Sequence, residues 1–343
     1  MNQVMGYRRN NQVGFRNHIL VIPSVFCSNK VCEDIAEGID GVIAIDHAHG
    51  CGQIGSDLEQ TKRTFIGTSL NPNVYGVIIV GQGCEDAAAE EIADRVKQQS
   101  SKPVHVFTIQ DLGDTRYATE RGRELAYEMV HEVQQLKQEP IDLSELVIGF
   151  MPNQIEEQTK QTSARLMQAY AEELLENQGT AVYGDYNEIY PALARLHSLS
   201  SETVQQHLTT LEENPDYEIS ENVKLEDFIA QNHPVTEVIS YAETIKNNNG
   251  IIYMHGPNHN LEQSTGLIAT GVHMILMGTS EGSMLGSPVA PILKISASDE
   301  LYDIFENDLD LNAGKLAANP EQLSKSEEMG INEFGIQRIG LSI

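Results

Sequence analysis

Three cysteines, two histidines and a glutamate stand at matching places in successive stretches of the chain. Cys27 follows an apolar run at 18–25, Cys51 closes His47-Ala48-His49-Gly50-Cys51 after a run at 41–46, and Cys84 with Glu85 follows a run at 74–80. Thiolate and imidazole ligands suit iron or zinc. If the runs are strands of one open parallel sheet, Cys27, His47, His49, Cys51, Cys84 and Glu85 all project toward its carboxyl edge, where such sheets bind ligands. The competing reading makes the cysteines small buried hydrophobes beneath loops, and spacing alone leaves the two readings level. The fourth cysteine, Cys32, falls inside a segment of helical spacing and is read as packing.

The elements that must position these residues follow a regular order. Apolar runs at 18–25, 41–46, 74–80 and 104–109 alternate with helical spacing at 28–37, 55–70, 85–98 and 115–137. Continuous β-branched runs between helices predict a parallel sheet buried on both faces. Pro140, after a polar Gln-Glu stretch, marks a boundary between an N-terminal α/β domain at 1–140 and a C-terminal α/β domain at 141–343. The second domain restarts with a strand at 146–150, a helix at 156–176, Gly179 as its stop and a short strand at 180–183. Residues 198–250 are polar and mostly helical in pattern, and apolar runs return at 250–254, 273–277 and 291–295. The expected fold class is α/β, two domains with mainly parallel sheets.

Composition excludes several partners. A formal charge of −28 repels phosphate backbones and anionic lipid, so neither nucleic acid nor a membrane is an expected partner. No apolar stretch approaches the ~18 residues of a membrane span. Residues 1–11 are polar and lack the apolar core of a signal peptide, so a cytoplasmic location without disulfides is expected. No G-x-G-x-x-G follows any strand, so NAD is not an expected cofactor, and neither a G-x-S-x-G elbow nor a P-loop is present.

The motifs have a family resemblance. Gly6-Tyr7, Gly14-Phe15-Arg16-Asn17 and Cys27-Ser28-Asn29-Lys30 resemble the opening of the altronate/galactarate dehydratase core. His47 with Gly50-Cys51-Gly52 is similar to its H-x-x-G-C-G, Gly83-Cys84-Glu85 to its G-C-E, and Ile109-Gln110 with Gly113 to its I-Q-x-x-G. Ser264-Thr265-Gly266-Leu267, Gly286-Ser287-Pro288, Pro291-Ile292-Leu293-Lys294 and the series Asp308, Asp310, Asn312, Gly314 look like the family's later elements. The resemblance implies an N-terminal dimerisation domain, hence a homodimer, and a Rossmann-like C-terminal domain. It also implies a hydro-lyase acting on a sugar acid or another small carboxylic acid with Fe(2+), manganese or zinc being the alternatives. Such an enzyme removes the proton alpha to a carboxylate and expels the beta-hydroxyl. On this resemblance His47 is the candidate base or metal ligand, Cys27, Cys51, Cys84, His49 and Glu85 are the metal set, and Asn29 and Lys294 are substrate contacts. Many members carry a small domain before this core, so a separately encoded small subunit is a further expected partner.

The departures fall where the substrate is expected. Met151-Pro152-Asn153-Gln154-Ile155 stands where the family has C-G-G-S-D, and the polar stretch 213–226 replaces a glycine-rich segment. Thr279-Ser280-Glu281-Gly282 replaces T-G-R-G, removing an arginine whose planar fork suits carboxylates. His255, Asn258 and His259 follow a strand directly and make either a revised substrate pocket or, the favoured reading, a polar loop with Asn260 capping the next helix. Three functions follow from this balance. They are a divergent dehydratase, a non-catalytic paralogue that binds a partner or ligand, and a sulfolactate sulfo-lyase-like large subunit.

Overall fold

A computed structural model of the chain describes residues 4–9, 11–152, 161–184, 233–246, 248–257 and 259–318, together with Thr159 and Gln205. The N-terminal apolar runs form β3 (His18–Pro23), β4 (Val42–Ala44), β5 (Val74–Gly81) and β6 (Val104–Thr108), a four-stranded parallel sheet in the order β4-β3-β5-β6. Between them lie α1 (Asn29–Ala36), α2 (Gly55–Leu70), α3 (Ala89–Gln99), the single turn α4 (Ile109–Leu112) and α5 (Thr115–Val133). Successive side chains of a strand point to opposite faces. Ile19, Val21, Ile78 and Val80 accordingly join Val31, Ile35, Leu125 and Met129 of α1 and α5 in one core. Leu20, Ile22, Val77 and Ile79 join Phe65, Ile92 and Val96 of α2 and α3 in the other.

The C-terminal part is a seven-stranded parallel sheet of β8 (Val147–Met151), β9 (Thr180–Gly184), β10 (Val235–Ile239), β11 (Gly250–Met254), β12 (Met274–Thr279), β13 (Ile292–Ser296) and β14 (Leu311–Asn312), in the order β10-β11-β9-β8-β12-β13-β14. Helix α6 (Ser163–Glu176) packs on one face through Leu166, Met167 and Leu174. Helix α7 (Asn260–Thr270) packs on the other through Leu267 and Ile268. Two short helices, α8 (Asp299–Ile304) and α9 (Ala313–Ala318), flank β14. The α/β class with mainly parallel sheets in two parts is thus the observed one.

The two sheets share their inner helical layer. Residues of the four-stranded sheet, of α2 and α7, and of the seven-stranded sheet belong to one continuous core. Where α2 crosses α7, a Cβ added to Gly67 would lie 2.2 Å from the Ala269 carbonyl oxygen, so the helices touch backbone to backbone. Buried Asn71 donates to the carbonyls of Ile268 (2.8 Å) and Val272 (3.0 Å), and buried Asn73 donates to that of His273 (2.8 Å).

Four strands escape the sequence pattern. β1 (Val4–Arg9), β2 (Gln12–Gly14) and β7 (Glu139–Ile141) form an antiparallel ribbon, and the boundary expected near 140 falls within β7. Arg8 fastens it by pairing with Glu139 and Glu145. β10 lies in the stretch read as mostly helical, although Val235, Thr236, Val238 and Ile239 are β-branched. Residues 198–204 and 206–232 of that polar stretch, 213–226 included, lie outside the described residues, as do Asn153, Gln154, Ile155 and Asn258. No helix of the described residues is long and apolar enough to cross a membrane.

Candidate active site

At the carboxyl edge of the four-stranded sheet the three loops are clamped together through residues next to the cysteines. Phe26 N donates to His49 O at 2.9 Å, Asp86 N donates to Gly50 O at 3.1 Å, and Gly52 N donates to the Asp86 carboxylate at 2.9 Å. Gly50, at φ 106, presses on Ser24 and Val25, where a Cβ would come within 2.4 Å of Ser24 O. Cys27, Cys51 and Cys84 are therefore brought to one edge, and all three are exposed with free thiols. Burial raises the Cys51 thiol above its ordinary value, and Cys27, Cys84 and Asp86 add to that rise. Cys32 is buried in the core, as its helical position predicts.

His47 and Glu85 play a different part from the one expected of them. The His47 ring is buried against Phe65, with ring centroids 4.6 Å apart. Its Nδ1 accepts the His49 backbone N–H at 3.0 Å, which places the ring proton on Nε2, where it is donated to Pro23 O at 2.6 Å. Burial lowers its pKa to about 4, with the Pro23 carbonyl opposing and His49 assisting. Both nitrogens are committed, so His47 pins the 47–49 loop to the end of β3 and is not posed as a base. Glu85 is likewise spent: Oε1 accepts Ser24 Oγ at 2.8 Å, and Oε2 accepts Gly83 N at 2.7 Å and Cys84 N at 2.9 Å. Burial would raise this carboxyl, but those donors outweigh it and leave it below its ordinary value. The helix expected from residue 85 starts instead at Ala89, because Glu85 is engaged in this turn.

The expected metal set is therefore not assembled. Among the described residues no three His, Cys, Asp or Glu side chains come together to hold an ion. The donors of His47 and Glu85 are consumed internally, which leaves three thiols and the half-buried His49, stacked on His47 at 6.4 Å. That arrangement does not fit an iron(II) centre built from the six residues. Asn29 donates through Nδ2 to His47 O at 2.9 Å, and its Oδ1 is buried without a partner. The adjoining hollow, of about 230 Å3, is lined by Gly83, Thr108, Gln110 and three carboxylates, Glu85, Glu90 and Asp111. Its charge opposes an anionic substrate.

The seven-stranded sheet offers the alternative. Chain order reverses between β8 and β12, since β8 leads outward to β9 on one side while β12 leads to β13 and β14 on the other. Open α/β sheets bind ligands at such a switch point, outside the carboxyl ends of the strands. The residues bordering it include Met151 closing β8 and Pro152 after it, Thr279 closing β12, and Lys294 with Ser296 on β13. Thr279, Lys294 and Ser296 are all buried. Thr279 Oγ1 accepts Gly282 N at 3.0 Å, which folds the 279–282 turn back on the strand.

His255 and His259, expected together, are separated by their surroundings. His255 is half-buried just after β11 with its pKa lowered to about 4 by burial, and its backbone N donates to Ile239 O at 2.8 Å. His259 is exposed and paired with Glu262. The cap of α7 is His259, one position earlier than the Asn260 the sequence suggests, and Asn260 is the first helical residue. Sequence reasoning missed the inter-sheet asparagines Asn71 and Asn73 and the bond from Arg63 Nε to Tyr241 O at 2.7 Å. Only the polar break Asn71-Pro72-Asn73 before a strand signals any of them.

Comparison with known proteins adds identity to this geometry. Residues 6–134 match the family model described as D-galactarate dehydratase/Altronate hydrolase, second domain, and residues 229–334 match D-galactarate/Altronate dehydratase, C-terminal. The altronate dehydratase of Bacillus subtilis is 28% identical over 365 residues, covering 96% of this chain and 71% of that protein. A (2R)-sulfolactate sulfo-lyase subunit beta of Chromohalobacter salexigens is 29% identical over 344 residues, covering 90% of this chain and 85% of that protein. The altronate dehydratase of Escherichia coli is 26% identical over 349 residues, covering 92% of this chain and 70% of that protein.

Proposed function

The chain belongs to the D-galactarate/altronate dehydratase family, a family of hydro-lyases, and on that premise we propose that it dehydrates a small sugar acid or hydroxy acid at the carboxyl edge of its seven-stranded sheet. The observation that carries this reading is the contrast between the two edges. The edge beside the thiols presents three carboxylates, whereas the β8/β12 switch point is bordered by the buried Thr279, Lys294 and Ser296. A carboxylate substrate favours the second. Dehydration of a 2,3-dihydroxy acid takes the proton alpha to the carboxylate, releases the 3-hydroxyl as water and gives a 2-keto-3-deoxy acid after tautomerisation. Among the described residues the donors at the other edge are not assembled to hold a metal.

A second reading has its own support. The sulfolactate sulfo-lyase relative is named as a subunit, and the match covers 85% of it. A separately encoded small partner subunit, a homodimer of this chain and sulfite in place of water as leaving group belong to that version of the site. One experiment treats both. The protein is assayed anaerobically, with and without added Fe(II) or Mn(II), against a panel of sugar acids, hydroxy acids and 3-sulfolactate. Keto acid is read as its semicarbazone and sulfite by a thiol-exchange dye. Keto-acid formation without sulfite establishes the dehydratase, and sulfite release the sulfo-lyase. Folded protein that turns over nothing on the panel rejects both in favour of a binding paralogue.

A further inference from the structure

Strand β13 reads Ile292-Leu293-Lys294-Ile295-Ser296, and its lysine is 1% exposed. An ammonium carried out of water costs several kcal/mol unless it is paired, and an unpaired one tends to give up its proton instead. Other cations drawn into this chain, the buried Lys62 and the half-buried Lys102 and Arg9, are paired. Lys62 Nζ is held by Glu91 at 2.7 Å, Lys102 Nζ by the Asn71 carbonyl at 2.5 Å, and Arg9 by the carbonyls of Val74 and Pro72. Lys294 Nζ has no hydrogen-bond or ion-pair partner among the described residues. The acid nearest in sequence register is partly spent on the backbone: Asp310 Oδ2 accepts Lys294 N at 2.8 Å, and Asp310 N donates to Lys294 O at 2.9 Å. Burial lowers the Lys294 amine below its ordinary value, with Asp310 and Asp308 opposing.

Its position is as telling as its state. Lys294 is in register with Met277 of β12, which is in register with Met151 of β8, so the three side chains share one face of the sheet across the switch point. The other two side chains of that row are methionines, and a third apolar side chain would complete the packing. A lysine there carries an amine to the place where an open α/β sheet binds its ligand.

We propose that Lys294 is the base that takes the proton from the carbon alpha to the substrate carboxylate. The proposal rests on the lyase reading and adds to it the group that begins the reaction. The neutral Nζ forms an N–H bond as the Cα–H bond breaks. That electron pair becomes the Cα–Cβ double bond, and the Cβ–O bond breaks with its pair going to oxygen. The hydroxyl leaves as water with a proton from solvent, and Lys294 returns its own proton to solvent, so charge and atoms balance with no oxidant. Buried lysines with lowered basicity serve this purpose because they are amines near neutral pH.

Lys294→Met matches the other two side chains of that row in volume and polarity, so it folds at least as well as the wild type. On any substrate that the wild type dehydrates, it loses about 100- to 10,000-fold in kcat, the span of general-base catalysis, with KM little changed. It also stops exchange of the alpha proton in deuterated water. Asp308→Asn, which removes an opposing charge, moves the acid limb of the wild-type pH–rate profile to lower pH. Lys294→Met activity within tenfold of wild type overturns the proposal. If no substrate is found the lyase reading fails, and the amine is still decided separately. In protein carrying 13C-labelled lysine, the resonance absent from Lys294→Met titrates below the other lysines if the proposal holds. A Lys294 resonance that titrates with the exposed lysines overturns it.

Discussion

His47 keeps its proton on Nε2 because Nδ1 accepts a backbone N–H, and burial holds the ring neutral with a pKa of about 4. Burial brings His18 and His255 to about the same value, with Arg16 also acting on His18. In the unfolded chain these rings protonate near their ordinary 6.5. The folded values are depressed, so the stability they contribute is complete above pH 6.5 and is lost as pH falls toward 4. Each ring accounts for on the order of 3 kcal/mol across that window. Urea midpoints should therefore fall steadily from pH 7 to pH 4.5, and His47→Gln should flatten part of the slope. A midpoint indifferent to pH over that range would contradict neutral buried rings. The thiols give a second reading at this scale. Ellman's reagent should label Cys27, Cys51 and Cys84 in native protein and Cys32 only after denaturation, since one thiol alone is buried. Four rapidly reacting thiols would place Cys32 wrongly.

Among the elements, α2 was fully legible: residues 55–70 carry helical spacing and the helix runs Gly55–Leu70. Its packing was not legible, because Gly67 reads as a weak helix residue until α7 is seen against it. Gly67→Ala tests the contact. Alanine should favour the helix by ~1 kcal/mol, but its Cβ would lie 2.2 Å from the Ala269 carbonyl, which cannot move without α7. The expected net effect is a loss of about 1–3 kcal/mol in urea unfolding, the usual cost of overpacking. A gain in stability would show that the helices are not in backbone contact. β10 was missed for the opposite reason. Its five residues are too few to outweigh a polar flanking stretch, and only pairing with β11 fixes them as a strand.

At the scale of the whole molecule, one core runs from the four-stranded sheet through α2 and α7 into the seven-stranded sheet. The two parts should therefore unfold together. Calorimetry should give a single transition whose calorimetric and van't Hoff enthalpies agree. Asn71→Ala leaves the Ile268 and Val272 carbonyls without their buried donor and costs about 1–3 kcal/mol. It should lower that transition as a unit. Two resolved transitions, in wild type or variant, would mean that the inner layer does not couple the sheets.

The sequence by itself determined the α/β class and the family, because β-branched runs, helical spacing and short glycine-bearing motifs are local and keep their meaning wherever the chain goes. It also determined that Cys27, Cys51 and Cys84 meet at one edge, since equivalent positions in successive strand–helix units repeat in space. It could not determine what His47 and Glu85 do there. Donor atoms are consumed by whichever backbone groups the loops happen to bring near them, and those groups are set by tertiary contacts. The same holds for Lys294, whose type suggests a charge on a surface. Only the fold decides that it is buried, with no hydrogen-bond partner for Nζ among the described residues, beside the switch point, where removing water from an amine changes its chemistry.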